Sequence, residues 1–149
     1  TPQKSLLLWG LPGGGKTYTM AALIRRFILA GKHCKRILYE VFCLHIRDTY
    51  KPNSAKSEWD VIQPLIDCDC LFVEDLGTST KIGGQESDFS LRTFLVVLDK
   101  RMEACKPTFI TSNKSVENLE KSFDLRVASR LSSFLVLECS GQDKRKAGR

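Results

Sequence analysis

Apolar positions along the chain switch repeatedly between strand-like and helix-like spacing. Ser5 to Trp9 is an almost unbroken apolar run of strand length, which predicts a strand buried on both faces. It breaks into glycines, after which Lys16 to Ala30 takes helical spacing, with Met20, Leu23, Ile24, Phe27 and Ile28 on one face and Gly31 as the stop. Arg36 to Val41 reads as a second strand. Phe42 to Tyr50 reads as a short helix with Leu44 and Ile46 inward, followed by a loop at Lys51-Pro-Asn-Ser54. Ser57 is placed to cap a helix running to about Ile66, with Pro64 expected to distort its end. Cys70 to Glu74 forms a third strand, and Gly77 to Glu86 has the composition of a mobile loop. A helix from Ser87 or Asp88 to about Ala104 carries the stripe Phe94, Leu95, Leu98 and Met102. Strand four is Thr108 to Thr111, short helices cover 117–122 and 125–131, and strand five is Phe134 to Cys139. Strands alternating with helices predict an α/β fold, a mostly parallel five-stranded sheet with helices on both faces. Right-handed crossovers bring every strand's C-terminal end to one rim, where such folds bind ligands.

The 149 residues suit one domain, at roughly 100–200 residues per domain. With 42% hydrophobic and 27% charged residues, the chain is neither disordered nor membrane-spanning in character. The six cysteines, Cys34, Cys43, Cys68, Cys70, Cys105 and Cys139, lack paired metal-ligand spacing and are expected as small apolar residues in a reducing cytoplasm. The net charge is +6, and Lys144, Arg145, Lys146 and Arg149 crowd the last nine residues. That tail suits either a solvated terminus or contact with a polyanion.

Three stretches add chemistry. Gly10-Leu-Pro-Gly-Gly-Gly-Lys16-Thr17 matches GxxxxGK[ST] and lies between a predicted strand and a predicted helix, the context this motif requires. Its glycines (Gly10, Gly13, Gly14 and Gly15) let successive amides converge on phosphate oxygens, Pro12 shapes the bend, and Tyr18 follows it. Lys16 would reach the β- and γ-phosphates, and Thr17 would offer its hydroxyl to Mg²⁺. The third strand ends in Glu74-Asp75, delivering two carboxylates to the same rim. One suits the metal's water shell and the other an attacking water. Strand four ends Thr111-Ser112-Asn113, which offers polar groups beside the phosphate loop.

These elements, with Leu125-Arg126-Val-Ala-Ser-Arg130-Leu131 and Gly141-Gln-Asp143-Lys-Arg145 after them, resemble the AAA+ ATPase core of DnaC-type helicase loaders, a group that includes the IstB-type transposition ATPases. The resemblance runs from about Ser5 to Arg145. It implies a P-loop NTPase three-layer sandwich with strand order 5-1-4-3-2 and no C-terminal lid domain, binding ATP and Mg²⁺. By the same resemblance Lys16 and Thr17 are the Walker A pair, Glu74 and Asp75 the Walker B pair, and Asn113 is sensor 1. Arg126 or Arg130 is an arginine finger for a neighbouring subunit, with Arg130 favoured, and Arg145 is a sensor 2-like arginine. Implied partners are a hexameric replicative helicase, single-stranded DNA and further copies joined head to tail through ATP. In the IstB-type alternative the partners are duplex DNA and a transposase. A third possibility is a nucleotide-dependent interaction switch with little catalysis.

The chain departs from the family pattern at both acids. Glu74 stands where the family usually has Asp, and Asp75 is shorter than the Glu common in other AAA+ proteins. Both changes point to slow hydrolysis. Family members carry an N-terminal partner-binding region, so 1–149 is expected to be the core of a longer protein. The stretch from Phe42 to Trp59 corresponds to a helical insertion that lines a DNA path in the family. Here it carries His45, Arg47, Tyr50, Lys51, Lys56 and Trp59, which fit nucleic-acid contact or equally a solvated helix with packing aromatics.

Overall fold

The computed structural model describes residues 4–77 and 88–141. The elements, in chain order, are β1 (Leu6–Trp9), α1 (Lys16–Leu29), β2 (Cys34–Leu38), α2 (Tyr39–Asp48), α3 (Glu58–Asp67), β3 (Cys70–Leu76), α4 (Asp88–Glu103), β4 (Thr108–Ser112), α5 (Val116–Ser122), α6 (Leu125–Leu131) and β5 (Leu135–Glu138). The strands form one sheet in the order β2-β3-β4-β1-β5, and every neighbouring pair is parallel. This is the 5-1-4-3-2 order implied by the resemblance. The expected loop at Gly77–Glu86 lies, beyond Gly77, outside the described residues, as do Arg145 and the basic tail. No helix among the described residues is long and apolar enough to cross a membrane.

Alternation along the strands divides the core in two. On one face Leu8, Met20, Cys70, Phe72 and Phe109 pack with Leu23, Ile24 and Phe27 of α1. The Phe72 and Phe109 rings stack at 4.7 Å between centroids. On the other face Leu7, Leu71, Val73 and Ile110 meet the inward stripes of α2 to α6. The result is a three-layer sandwich.

Several boundaries and inward faces differ from the sequence expectation. Strand two ends at Leu38, not Val41, because Tyr39, Phe42, Cys43 and Ile46 are buried at i, i+3, i+4 and i+7 and carry the chain straight into α2. Leu44 falls off that stripe and is exposed, as is Ile28 of α1 at 56%. Met102 is likewise exposed, and its helical neighbour Arg101 takes the inward position, fully buried. Cys105 is exposed rather than packed, at a positive φ of 53° in the turn after α4.

Pro64 does not end α3, which runs on to Asp67. Its start is fixed by a reciprocal cap between Ser57 and Asp60. Its last carbonyls are answered from elsewhere. Arg101 Nη1 donates to Leu65 O and Ile66 O, and Lys106 Nζ donates to Ile66 O and Asp67 O.

Candidate functional site

The chain leaves β1 at Trp9 and turns back through residues 10–15 into α1. Gly10, Gly13 and Gly15 have φ values of 154°, 84° and 89°. The bend also runs hard against the end of β5. A Cβ on Gly10 would lie 2.5 Å from the Cys139 carbonyl oxygen, and one on Gly14 would lie 2.9 Å from it. Glycine is therefore required at Gly10 by space as well as by dihedral. The turn is pinned by hydrogen bonds from Gly10 N–H to Ser112 O (3.1 Å) and from Gly14 N–H to Leu11 O (3.2 Å). Gly15 is the N-cap of α1 and supplies no side chain, so the helix opens without a side-chain cap. The first-turn amides and the helix dipole favour an anion at this end.

Lys16 is buried, and its Nζ donates to Gly10 O (2.7 Å) and Leu11 O (2.9 Å), drawing its ammonium back over the loop. A cleft of about 750 Å³ opens in front, lined by Pro12, Gly13, Gly15, Lys16, Thr17 and Tyr18 from the loop and α1. Asp75 and Asn113, from the ends of β3 and β4, line the same cleft. Three sequence segments thus meet there as the rim geometry predicts.

Asp75 reaches this place through a local irregularity. The β3–β4 register shifts between Val73 and Leu76, and Asp75 adopts φ 57°, a left-handed conformation that Asp tolerates better than most residues. Its N–H donates to Thr111 Oγ1 (3.0 Å), and Ser112 Oγ donates to Leu76 O (2.7 Å). Thr111 and Ser112 are thus buried braces for the end of β3, while Asn113 is the member of the Thr-Ser-Asn run that lines the cleft.

Glu74 is not among the residues lining the cleft. Its side chain is 4% exposed, and Oε2 accepts from Arg36 Nη2 at 2.7 Å. The bond to Glu74 holds the Arg36 guanidinium above its ordinary pKa. Glu74 Oε1 is buried without a hydrogen-bond partner among the described residues. Arg36 was invisible to motif reading. Only the strand order, which puts β2 beside β3, points to it.

The residues present fit a Mg²⁺-nucleotide. The hydroxyl-bearing Thr17 and the carboxylate of Asp75 share the cleft, and Glu74 offers a buried oxygen with no donor. Among the described residues no group of three or more His, Cys, Asp or Glu is placed to hold a metal alone. That suits Mg²⁺, which keeps most of its water and relies on one or two carboxylates plus phosphate oxygens.

The two candidate finger arginines sit one turn apart on α6, and Arg130 Nη1 donates to Arg126 O. Arg130 grips Asp99 of α4 through Nε (2.6 Å) and Nη2 (2.9 Å), a bidentate pair that holds the Asp99 carboxyl below its ordinary range. Arg126 is more exposed and pairs with Asp124, the N-cap of α6, at 3.1 Å. In the Phe42–Trp59 stretch, Tyr50 packs on Phe89 at 5.2 Å and Lys51 pairs with Asp48. Trp59 is half exposed, and His45 and Lys56 line a second cavity of about 490 Å³.

No protein-family model matches the chain. The replicative helicase loader DnaC of Escherichia coli K12 is 28% identical over 127 residues, covering 85% of this chain and 49% of that protein. The chain therefore spans about half the length of the curated relatives it matches. Among solved structures, a putative primosome component from Streptococcus pyogenes serotype M3 superposes with a TM-score of 0.74 at 25% identity, covering 95% of this chain and 70% of that one. DnaI superposes with a TM-score of 0.76 at 22% identity, covering 97% and 74%.

Proposed function

Since the chain is a P-loop AAA+ domain related to bacterial replication-initiation and helicase-loader proteins, we propose that it binds ATP with Mg²⁺, hydrolyses it slowly, and serves the loading of a replicative helicase. One observation carries the reading. The glycine-rich bend, Lys16, Thr17, Asp75 and Asn113 converge on a single cleft of about 750 Å³ at the C-terminal rim of a parallel sheet.

The roles follow from chemistry at each position. The amides around Gly13, Gly14 and Gly15 cradle the phosphates, with Pro12 and Tyr18 flanking them. Lys16 Nζ exchanges its two loop carbonyls for phosphate oxygens, a stronger charge-assisted bond. Thr17 and Glu74 hold the cation's surroundings. Bound Mg²⁺ would neutralise charge developing on the phosphates. Asp75 takes or orients the water proton, and Asn113 hydrogen-bonds the water or the terminal phosphate. The shorter reach of Asp75 suits slow turnover.

Arg126 is the better candidate to act on a neighbouring copy's nucleotide, because Arg130 is committed to Asp99 within its own fold. A finger supplied in trans is worth about 10³–10⁵ in rate. The isolated domain then binds nucleotide well and turns it over poorly. Helicase contact, single-stranded DNA binding and ATP-bridged assembly belong to the same proposal.

The test is titration with a fluorescent ADP analogue in Mg²⁺, wild type against Lys16→Ala. Losing one charge-assisted contact of about 1.5–3 kcal/mol predicts about 10- to 100-fold weaker binding. Equal binding by the two proteins overturns the reading.

A further inference from the structure

Glu74 and Asp75 are consecutive, yet the fold treats them differently. Asp75 lines the cleft. Glu74 is buried with Oε2 bonded to Arg36 and Oε1 bonded to nothing among the described residues. A buried carboxylate oxygen without a donor is a costly arrangement that native folds rarely keep without a use. Arg36 itself is not a packing residue. Its side chain is 51% exposed, on the edge strand β2.

We propose that Arg36 is a positioning residue for the divalent cation of the nucleotide site, acting through Glu74. This rests on the nucleotide-binding reading above. The register explains the pairing. Arg36 is opposite Phe72 in the β2–β3 ladder, and Glu74, two residues on, projects from the same face as Phe72. A Glu carboxylate has one more rotatable bond than an Asp carboxylate at the same position. Left alone it would occupy several rotamers and present its oxygens poorly. The 2.7 Å bond to Arg36 removes that freedom and neutralises the buried charge before any cation arrives. It leaves Oε1 as the carboxylate oxygen with no donor among the described residues, and so the one to accept from the water shell of the cation. Arg36 thereby compensates for the long acid: it orients a metal-side carboxylate without touching metal or nucleotide.

The experiment measures two quantities by fluorescent ADP binding: affinity in EDTA, and the Mg²⁺ midpoint for the metal-dependent gain. Arg36→Gln should leave the EDTA affinity unchanged and raise the Mg²⁺ midpoint about tenfold or more, the usual effect of losing a residue that orients a metal ligand. Arg36→Lys should raise it less, because a point charge holds the carboxylate with less geometric precision. Glu74→Gln should raise it similarly, and adding Arg36→Gln to Glu74→Gln should change nothing further. An unchanged or lower midpoint in Arg36→Gln overturns the proposal, as does a further rise in the double variant. If Arg36→Gln fails to fold, the double variant, which buries no unpaired charge, is compared with Glu74→Gln alone. Equal midpoints then support the proposal and a further rise overturns it. Failure of the wild type to bind ADP at all sinks the nucleotide reading, whereas either Arg36 failure leaves that reading standing.

Discussion

Two buried cations stand at opposite ends of the sheet, and each is held by backbone carbonyls. Arg101 lies at the end where β4 begins, fully buried. Its guanidinium donates to the carbonyls of Leu65, Ile66, Cys68, Asp69 and Pro107, and to Thr108 Oγ1. Lys16 lies at the end where β1 finishes, bonded to Gly10 O and Leu11 O of its own loop. The difference is in the acceptors. Those of Arg101 come from the end of α3, the turn into β3 and the start of β4, so its release would undo three junctions together. Those of Lys16 are within six residues and can be exchanged for an incoming anion without parting any elements. One end is closed upon itself. The other holds positive-φ residues, an exchangeable lysine and an unanswered carboxylate oxygen. Left-handed backbone also occurs at the closed end, at Cys105, so what sets the open end apart is its exchangeable lysine and its unmet hydrogen bonding.

Arg101→Met tests the closed end and carries the largest expected effect. Several carbonyls would lose their donors at about 1–3 kcal/mol each, so a loss of about 4 kcal/mol or more is expected from urea denaturation. Burial pushes the Arg101 guanidinium below its ordinary pKa, and the ring of acceptors, with the Cys68, Cys70 and Asp69 side chains nearby, favours the cation against it. A loss under about 1 kcal/mol would mean that the junctions hold without it, and the contrast between the two ends would fail.

Gly10→Ala against Gly31→Ala sharpens the contrast at the open end. Both glycines have positive φ, 154° and 77°. A Cβ at Gly31 meets nothing within 4 Å, whereas one at Gly10 meets the Cys139 carbonyl oxygen at 2.5 Å. Gly31→Ala should cost about 1 kcal/mol, from the dihedral alone. Gly10→Ala should cost about 3 kcal/mol and displace the loop, because backbone cannot yield as a flexible side chain does. Melting and ADP titration of both variants check this. Equal losses would show that β5 does not fix the loop.

Much of this was legible in the sequence. Periodicity located all eleven elements, and the phosphate-loop spacing placed Gly10 to Gly15 between β1 and α1, with Lys16 to Tyr18 opening the helix. What failed to show were facts of the third dimension. The stripe on α4 admits both Arg101 and Met102, and only the carbonyls gathered from α3 and β4 decide that the arginine goes inside. Two adjacent acids read alike as letters. The register shift and the φ of 57° at Asp75 send one to the cleft, and Arg36 of the neighbouring strand holds the other. Likewise α6 offered two arginines a turn apart, and only the fold shows that one of them, Arg130, pairs with Asp99, 31 residues before it.

That last pair yields the smallest effect, and its sign can be worked out. Hydrogen bonding by Arg130 holds the Asp99 carboxyl below its ordinary range, and the same bond raises the guanidinium. The folded state therefore binds the Asp99 proton more weakly than the unfolded chain. The resulting stability is present above the ordinary carboxylate range and is lost as pH falls through it. Asp99 is 45% exposed at its side chain, so screening keeps the contribution below about 1 kcal/mol. Asp99→Asn should lower the urea midpoint slightly at neutral pH and fall less steeply on acidification, the two curves converging once the Asp99 carboxyl is protonated in both states. Asp60, Asp69 and Asp124 shift in the same direction, so the variant keeps a shallower slope rather than a flat one. The same variant loosens Arg130 from α4. If Arg130 only braces α6, ATP turnover by the assembled protein is unaffected by Asp99→Asn and collapses in Arg126→Ala. The opposite pattern, turnover changing with Asp99 and indifferent to Arg126, would move the trans-acting role back to Arg130.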